Sequence, residues 1–95
     1  MKRLIVTADD FGLSEGVNNA VVEAHRAGTL TAASLMANFD GFQHAVDALK
    51  GAAGLDVGLH FVLAAGQCVS SPDTVPNLVG ARGGFHARWG PPVFS

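Results

Sequence analysis

The chain has 95 residues, six basic and eight acidic, for a formal net charge of −2; 48% are hydrophobic and 15% charged. This excludes a disordered chain, and no run of like charge supplies the basic footprint of a nucleic-acid binder. Cys68 is the single cysteine, which excludes an internal disulfide and any cysteine-rich metal site.

Such a length makes one small domain or a piece of a larger one. Met1-Lys2-Arg3 before Leu4-Ile5-Val6 mimics the start of a signal peptide, but the apolar run ends at Thr7 and the acids Asp9 and Asp10. No segment is long enough to span a bilayer, so the expectation is a cytoplasmic protein without a membrane span.

Leu4 to Ala8 is nearly continuous in apolar residues and predicts a strand buried on both faces of a parallel sheet. Ser14 to Ala27 predicts a helix, with Ser14 as N-cap, Glu15 in the first turn and Gly28 as the stop. Its apolar face is Val17, Ala20, Val21 and Ala24. Ala32 to Ala37 predicts a second strand ending at Asn38. Asp40 is then a candidate N-cap for a helix through Lys50, with Phe42, Ala45, Val46 and Leu49 on its apolar face. Leu55 to Val62 predicts a third strand with His60 in its final third. The order β-α-β-α-β with short connections predicts a parallel α/β arrangement over 1–63. From 64 to 95, glycines and prolines punctuate a segment with no periodic pattern. It reads as a long loop and an atypical tail of a single partial domain.

Parallel β/α folds place their reactive groups at the C-terminal edge of the sheet. Asp9 and Asp10 follow the first predicted strand, Asn38 the second, and His60 lies near the end of the third. Adjacent carboxylates at a strand end point in different directions, so one can hold a cation while the other accepts a proton. The plainer reading is an Asx-type turn that feeds the helix, with Asp10 and Ser14 as local caps. His60 reads alone either as a core histidine or as a ligand; beside the acidic pair, a carboxylate–imidazole metal site explains it better. The sequence supplies two such ligands, whereas catalytic metal sites commonly use three. Among the other histidines, His25 suits the dipole at a helix end, His44 falls off the apolar face of the second helix and reads as solvated, and His86 lies in the unpatterned tail. Cys68 has no activating neighbour and reads as a space-filler. Neither a dinucleotide fingerprint nor a P-loop is present.

Thr7-Ala8-Asp9-Asp10-Phe11-Gly12-Leu13-Ser14, then Asn18 and Ala20, Ala33-Ser34-Leu35-Met36, and Val57-Gly58-Leu59-His60 resemble the YdjC-like carbohydrate deacetylases. The likeness is nearest to the branch associated with hopanoid biosynthesis and covers residues 2 to 85. It implies the N-terminal β-α-β-α-β part of an irregular (β/α) barrel, here incomplete. It also implies hydrolysis of an N-acetyl group on a sugar or glycolipid-type substrate with a divalent metal ion, Mg or Zn. In that resemblance Asp10 and His60 are metal ligands and Asp9 is the general base; Asn38 is a candidate substrate-binding residue. The family takes a further histidine ligand from a later strand that this chain does not contain, so the expectation is a truncated fragment, inactive alone. Two other classes compete. A non-catalytic remnant would associate with itself or a partner, which allows a homo-oligomer. A receiver-like signalling module shares the acidic pair, but needs an aspartate where this chain has His60 and a lysine beyond Lys50.

Overall fold

The computed structural model describes residues 2–80 and 83–86. The tail expectation from Ala87 through Pro92 lies outside them. Strands and helices alternate as β1 (Thr7–Phe11), α1 (Glu15–Arg26), β2 (Ala32–Leu35), α2 (Phe42–Ala48) and β3 (Asp56–Leu59). The strands form one sheet in the order β1-β2-β3, and both pairings are parallel. The α/β alternation and the parallel sheet are therefore as the sequence predicts. The chain divides into two compact units, Met1–His60 and Phe61–Ser95.

In the first unit, β1 begins three residues later than the apolar run suggests. Leu4 and Ile5 are 79% and 77% exposed. Pairing starts where Val6 meets Thr31. The Val6 carbonyl accepts from the Thr31 and Ala32 amides at 3.0 and 3.1 Å, and the Val6 amide donates to Thr31 Oγ1 at 2.9 Å. The strand then runs on through the acidic pair, because backbone pairing is indifferent to the charge of an outward side chain. β3 is also shorter than its apolar run. All four of its residues are exposed.

Ser14 caps α1 as expected: its backbone is extended and its hydroxyl accepts from the Val17 amide at 3.2 Å. At the other end, the Gly28 amide donates to the His25 carbonyl and the Thr29 amide to the Ala24 carbonyl, with Gly28 at φ 88°, a Schellman closure. The buried stripe of α1 is Asn18, Val21 and Val22, while Ala20 is exposed. Val17 and Ala24 pack against the core as periodicity predicts, and the inward face departs from it at Ala20 and Asn18. The N-cap of α2 lies one residue past the expected one, Asp40. It is Gly41, with no side-chain cap bond, and a 3₁₀ turn at Leu49–Gly51 carries the chain to its exit. Phe11, Val21, Val22, Leu30, Ala33, Ala45, Ala52 and Leu55 form the core between sheet and helices. Val46, expected on the apolar face of α2, is 36% exposed.

The second unit is less featureless than its composition suggests. A 3₁₀ turn spans Pro72–Thr74, and isolated antiparallel bridges join Gln67 to Gly84 and Val79 to Phe85. Glycine and proline suppress long elements there without preventing backbone pairing. Cys68 Sγ lies 3.0 Å from the Ser70 carbonyl and 3.5 Å from that of Gly83, a structural placement.

Candidate metal centre

The register between β1 and β2 explains how the site is aimed. Ala8 pairs with Ala33 and Phe11 with Leu35, so β1 holds one extra residue between those partners, a β-bulge. Asp10 sits within it at φ 62°, in the left-handed region that aspartate tolerates better than most residues. The alternation of an ideal strand is broken there, and the direction of the Asp10 side chain is set by the bulge. The Leu13 amide then donates to the Asp10 carbonyl at 3.1 Å, closing a four-residue turn. Gly12, third in that turn, has φ 97°, and a Cβ on it would stand 2.6 Å from the Met36 carbonyl oxygen.

His60 follows β3 directly and is held by its backbone amide, which donates to the Leu35 carbonyl at 2.9 Å. This extends the β2–β3 ladder by one bond and places the imidazole at the same sheet edge as Asp10. His60 Nδ1 lies 3.5 Å from Asp10 Oδ1, with the side chains 33% and 57% exposed, and the Asp10 amide points at the same nitrogen from 3.4 Å. A nitrogen that accepts from an amide presents its lone pair. That single lone pair either accepts from the Asp10 amide or turns to a cation shared with the Asp10 carboxylate, so the amide contact and a bound cation exclude each other. A proton would give an ion pair. A divalent ion also fits: two bonds of about 2.1 Å at a tetrahedral angle separate their donor atoms by about 3.4 Å.

Of the residues singled out in the sequence, the structure brings Asp10 and His60 together. Asp9 precedes Asp10 in β1 and is exposed. Asn38 is half-buried, three residues past the end of β2 on the connection to α2. Among the described residues, no group of three or more His, Cys, Asp or Glu is placed to hold a metal ion. His25 is structural, with Nδ1 at 2.8 Å from the Leu30 carbonyl oxygen. His44 departs from the solvated reading: it is half-buried, with Nδ1 3.1 Å from Asn18 Nδ2.

Sequence reasoning noticed Asn18 only as part of a motif. Its amide is fully buried. Its Oδ1 accepts from the Gly12 amide at 2.7 Å and its Nδ2 donates to the Gly41 carbonyl at 2.8 Å. The available signal was a polar residue at i with Val21 and Val22 at i+3 and i+4, which places an amide on a helix face destined for burial.

A three-stranded parallel sheet with helices between its strands defines a β/α protein, with a carboxylate–imidazole pair at its strand-end edge. A family described as YdjC-like protein matches residues 3–94, past Phe85 where the motif resemblance ends, and the chain belongs to that family. It is 52% identical over 83 residues to a carbohydrate deacetylase of Brevibacillus brevis, covering 87% of this chain and 33% of that protein. Over 86 residues it is 44% identical to a chitooligosaccharide deacetylase of Proteus mirabilis, covering 90% of this chain and 32% of that one. Among solved structures it is similar to a protein from Enterococcus faecalis V583 described as a proposed cellobiose-phosphate cleavage protein. The TM-score is 0.83 at 31% identity, covering 90% of this chain and 34% of the other. The chain therefore spans about a third of the length of these relatives. No described helix is long and apolar enough to cross a membrane.

Proposed function

We propose that this chain is the opening portion of a metal-dependent carbohydrate deacetylase, with Asp10 and His60 as two protein ligands of a divalent ion and Asp9 as the general base. The observation that carries the reading is the 3.5 Å approach of Asp10 Oδ1 to His60 Nδ1 at the sheet edge. The names of the relatives supply the substrate class, an N-acetylated sugar. Magnesium and zinc both accept this mixed oxygen and nitrogen pair. Bound there, the ion would polarise the acetyl carbonyl and acidify water.

The chain's own residues divide the remaining work. Asp10 and His60 fix the reacting centre. Asp9, on the adjoining residue and open to solvent, takes the proton from the attacking water and returns it to the departing nitrogen. The amide C–N bond breaks, the acyl carbon keeps the water oxygen as acetate, and the sugar nitrogen leaves as the amine. Asn38, on the β2–α2 connection, is the proposed contact to substrate. The finer assignments belong to the same proposal: a (β/α) barrel completed by chain beyond this segment, a third ligand from that remainder, a cytoplasmic setting and a glycolipid-type substrate of the hopanoid branch. On this reading the segment alone binds the cation weakly and does not turn over.

A Co²⁺ titration of the chain tests the ligands, with His60→Ala and Asp10→Asn each expected to abolish binding. Binding that survives His60→Ala unchanged refutes the assignment. In the full-length Brevibacillus brevis relative, the change matching Asp9→Asn is expected to spare cation affinity and lower kcat by about 10²- to 10⁴-fold. Retained turnover excludes Asp9 as base. A self-associating module without catalysis is the second reading, favoured by the 70% exposure of Leu59 on β3. Sedimentation of a stable dimer that binds no cation would support it.

A further inference from the structure

We propose that Asn18 is a positioning residue for the Asp10–His60 pair, holding the turn that carries Asp10 through a buried amide clamp; the consequence for cation affinity rests on the ligand reading above. The turn joins two left-handed residues, Asp10 at φ 62° and Gly12 at φ 97°. Such conformations are sparsely populated and persist where the surroundings over-determine them. The Leu13–Asp10 bond closes the turn but leaves the Gly12 amide needing an acceptor, and Asn18 Oδ1 meets it at 2.7 Å. The other end of the same amide donates to the Gly41 carbonyl at 2.8 Å and reaches His44 Nδ1 at 3.1 Å.

The partners fix the amide's orientation. A backbone amide only donates and a carbonyl only accepts, so the Asn18 oxygen faces Gly12 and its nitrogen faces Gly41. His44 then presents an unprotonated Nδ1 to the second N–H. One fully buried side chain thereby ties the exit of β1 to the start of α2. Asp10, two residues before Gly12, is aimed at His60 by that tie. Asn18 touches neither Asp10 nor His60 through these bonds; it acts through the backbone between them.

Aspartate is the discriminating substitution. It keeps the acceptor for Gly12 but turns lone pairs toward the Gly41 carbonyl and His44 Nδ1, so the clamp opens on one side with little change in shape. His44→Leu removes one acceptor and leaves both backbone bonds, a milder perturbation that keeps the test decisive where Asn18→Asp does not fold. His44→Asn restores an acceptor oxygen near the place of Nδ1 and is the rescue.

The experiment uses the 95-residue chain, metal-free and then titrated with Co²⁺, in the wild type and in Asn18→Asp, His44→Leu, His44→Asn and His60→Ala. In the metal-free protein, ¹⁵N NMR reads the Asp10 amide and His60 Nδ1. Both resonances are expected to move in Asn18→Asp and, less, in His44→Leu, and to return in His44→Asn. Co²⁺ affinity is expected to fall by about 10- to 100-fold in Asn18→Asp, as when the support of a metal ligand is removed. A lowered denaturation midpoint with unmoved Asp10 and His60 resonances overturns the proposal, because Asn18 would then serve stability alone. Equal Co²⁺ binding by wild type and His60→Ala defeats the ligand reading instead, while the metal-free resonances still decide the positioning role.

Discussion

Gly41→Ala is expected to destabilise the chain through a collision between two loops. A Cβ at this position would lie 2.7 Å from the Ser14 nitrogen, 2.8 Å from the Gly12 oxygen and 2.8 Å from the Ser14 Cα. All three are backbone atoms, so no side chain can swing aside. Reaching an ordinary contact of about 3.4 Å from 2.7 Å requires a shift of about 0.7 Å between the β1–α1 connection and the start of α2. The φ of −81° at Gly41 is open to alanine, so the cost is steric and not conformational. Overpacking of this kind costs about 1–3 kcal/mol. The same displacement stretches the 2.8 Å bond from Asn18 to the Gly41 carbonyl, which places the cost toward the upper end of that range. Urea denaturation followed by circular dichroism reads the effect as a lower midpoint at unchanged m. Gly58→Ala on β3 is the control: nothing stands within 4 Å of the place its methyl group would take, and loss of unfolded-state freedom should make it neutral or stabilising by about 0.4–1 kcal/mol. A Gly41→Ala chain as stable as the wild type would refute the close approach on which the site's loop geometry depends.

Ser14→Ala removes the acceptor for the Val17 amide and is expected to cost about 1 kcal/mol of stability, read by the same denaturation; no loss would show that the cap is idle. Phe11→Ala vacates the centre of the core, where Phe11 is 0% exposed, and is expected to cost about 3–5 kcal/mol. Since a domain of this size holds roughly 5–15 kcal/mol in all, that variant should show a largely lost or broadened thermal transition. A wild-type melting temperature would contradict the burial.

How much of the site was legible depends on the distance over which each feature is decided. The helix α1 announces itself locally, because Ser14 and Gly28 act on backbone groups a few residues away. The meeting of Asp10 and His60, 50 positions apart, was also legible, since parallel crossovers bring strand ends to one edge. The limits of β1 were not. Apolarity pointed to Leu4–Ala8, whereas pairing with β2 begins beside Thr31 and continues through two acids. The inner face of α1 was legible in Val17, Val21 and Ala24, which lie in or against the core, but not in the exposed Ala20 or the buried Asn18. Periodicity ranks residues by hydrophobicity, and Asn18 is buried for its hydrogen bonds.

The sequence by itself determined the α/β alternation and the capped first helix, and it put Asp10 and His60 at strand ends on one edge of the sheet. The first two follow from side-chain chemistry and spacing along a short stretch of chain, and the last from parallel crossovers. Tertiary structure alone decided the bulge that turns Asp10 toward His60, the Gly12–Gly41 approach and the clamp that Asn18 closes across it. Each depends on backbone groups from separate connections needing the same small space and the same few partners, a condition no local pattern can express.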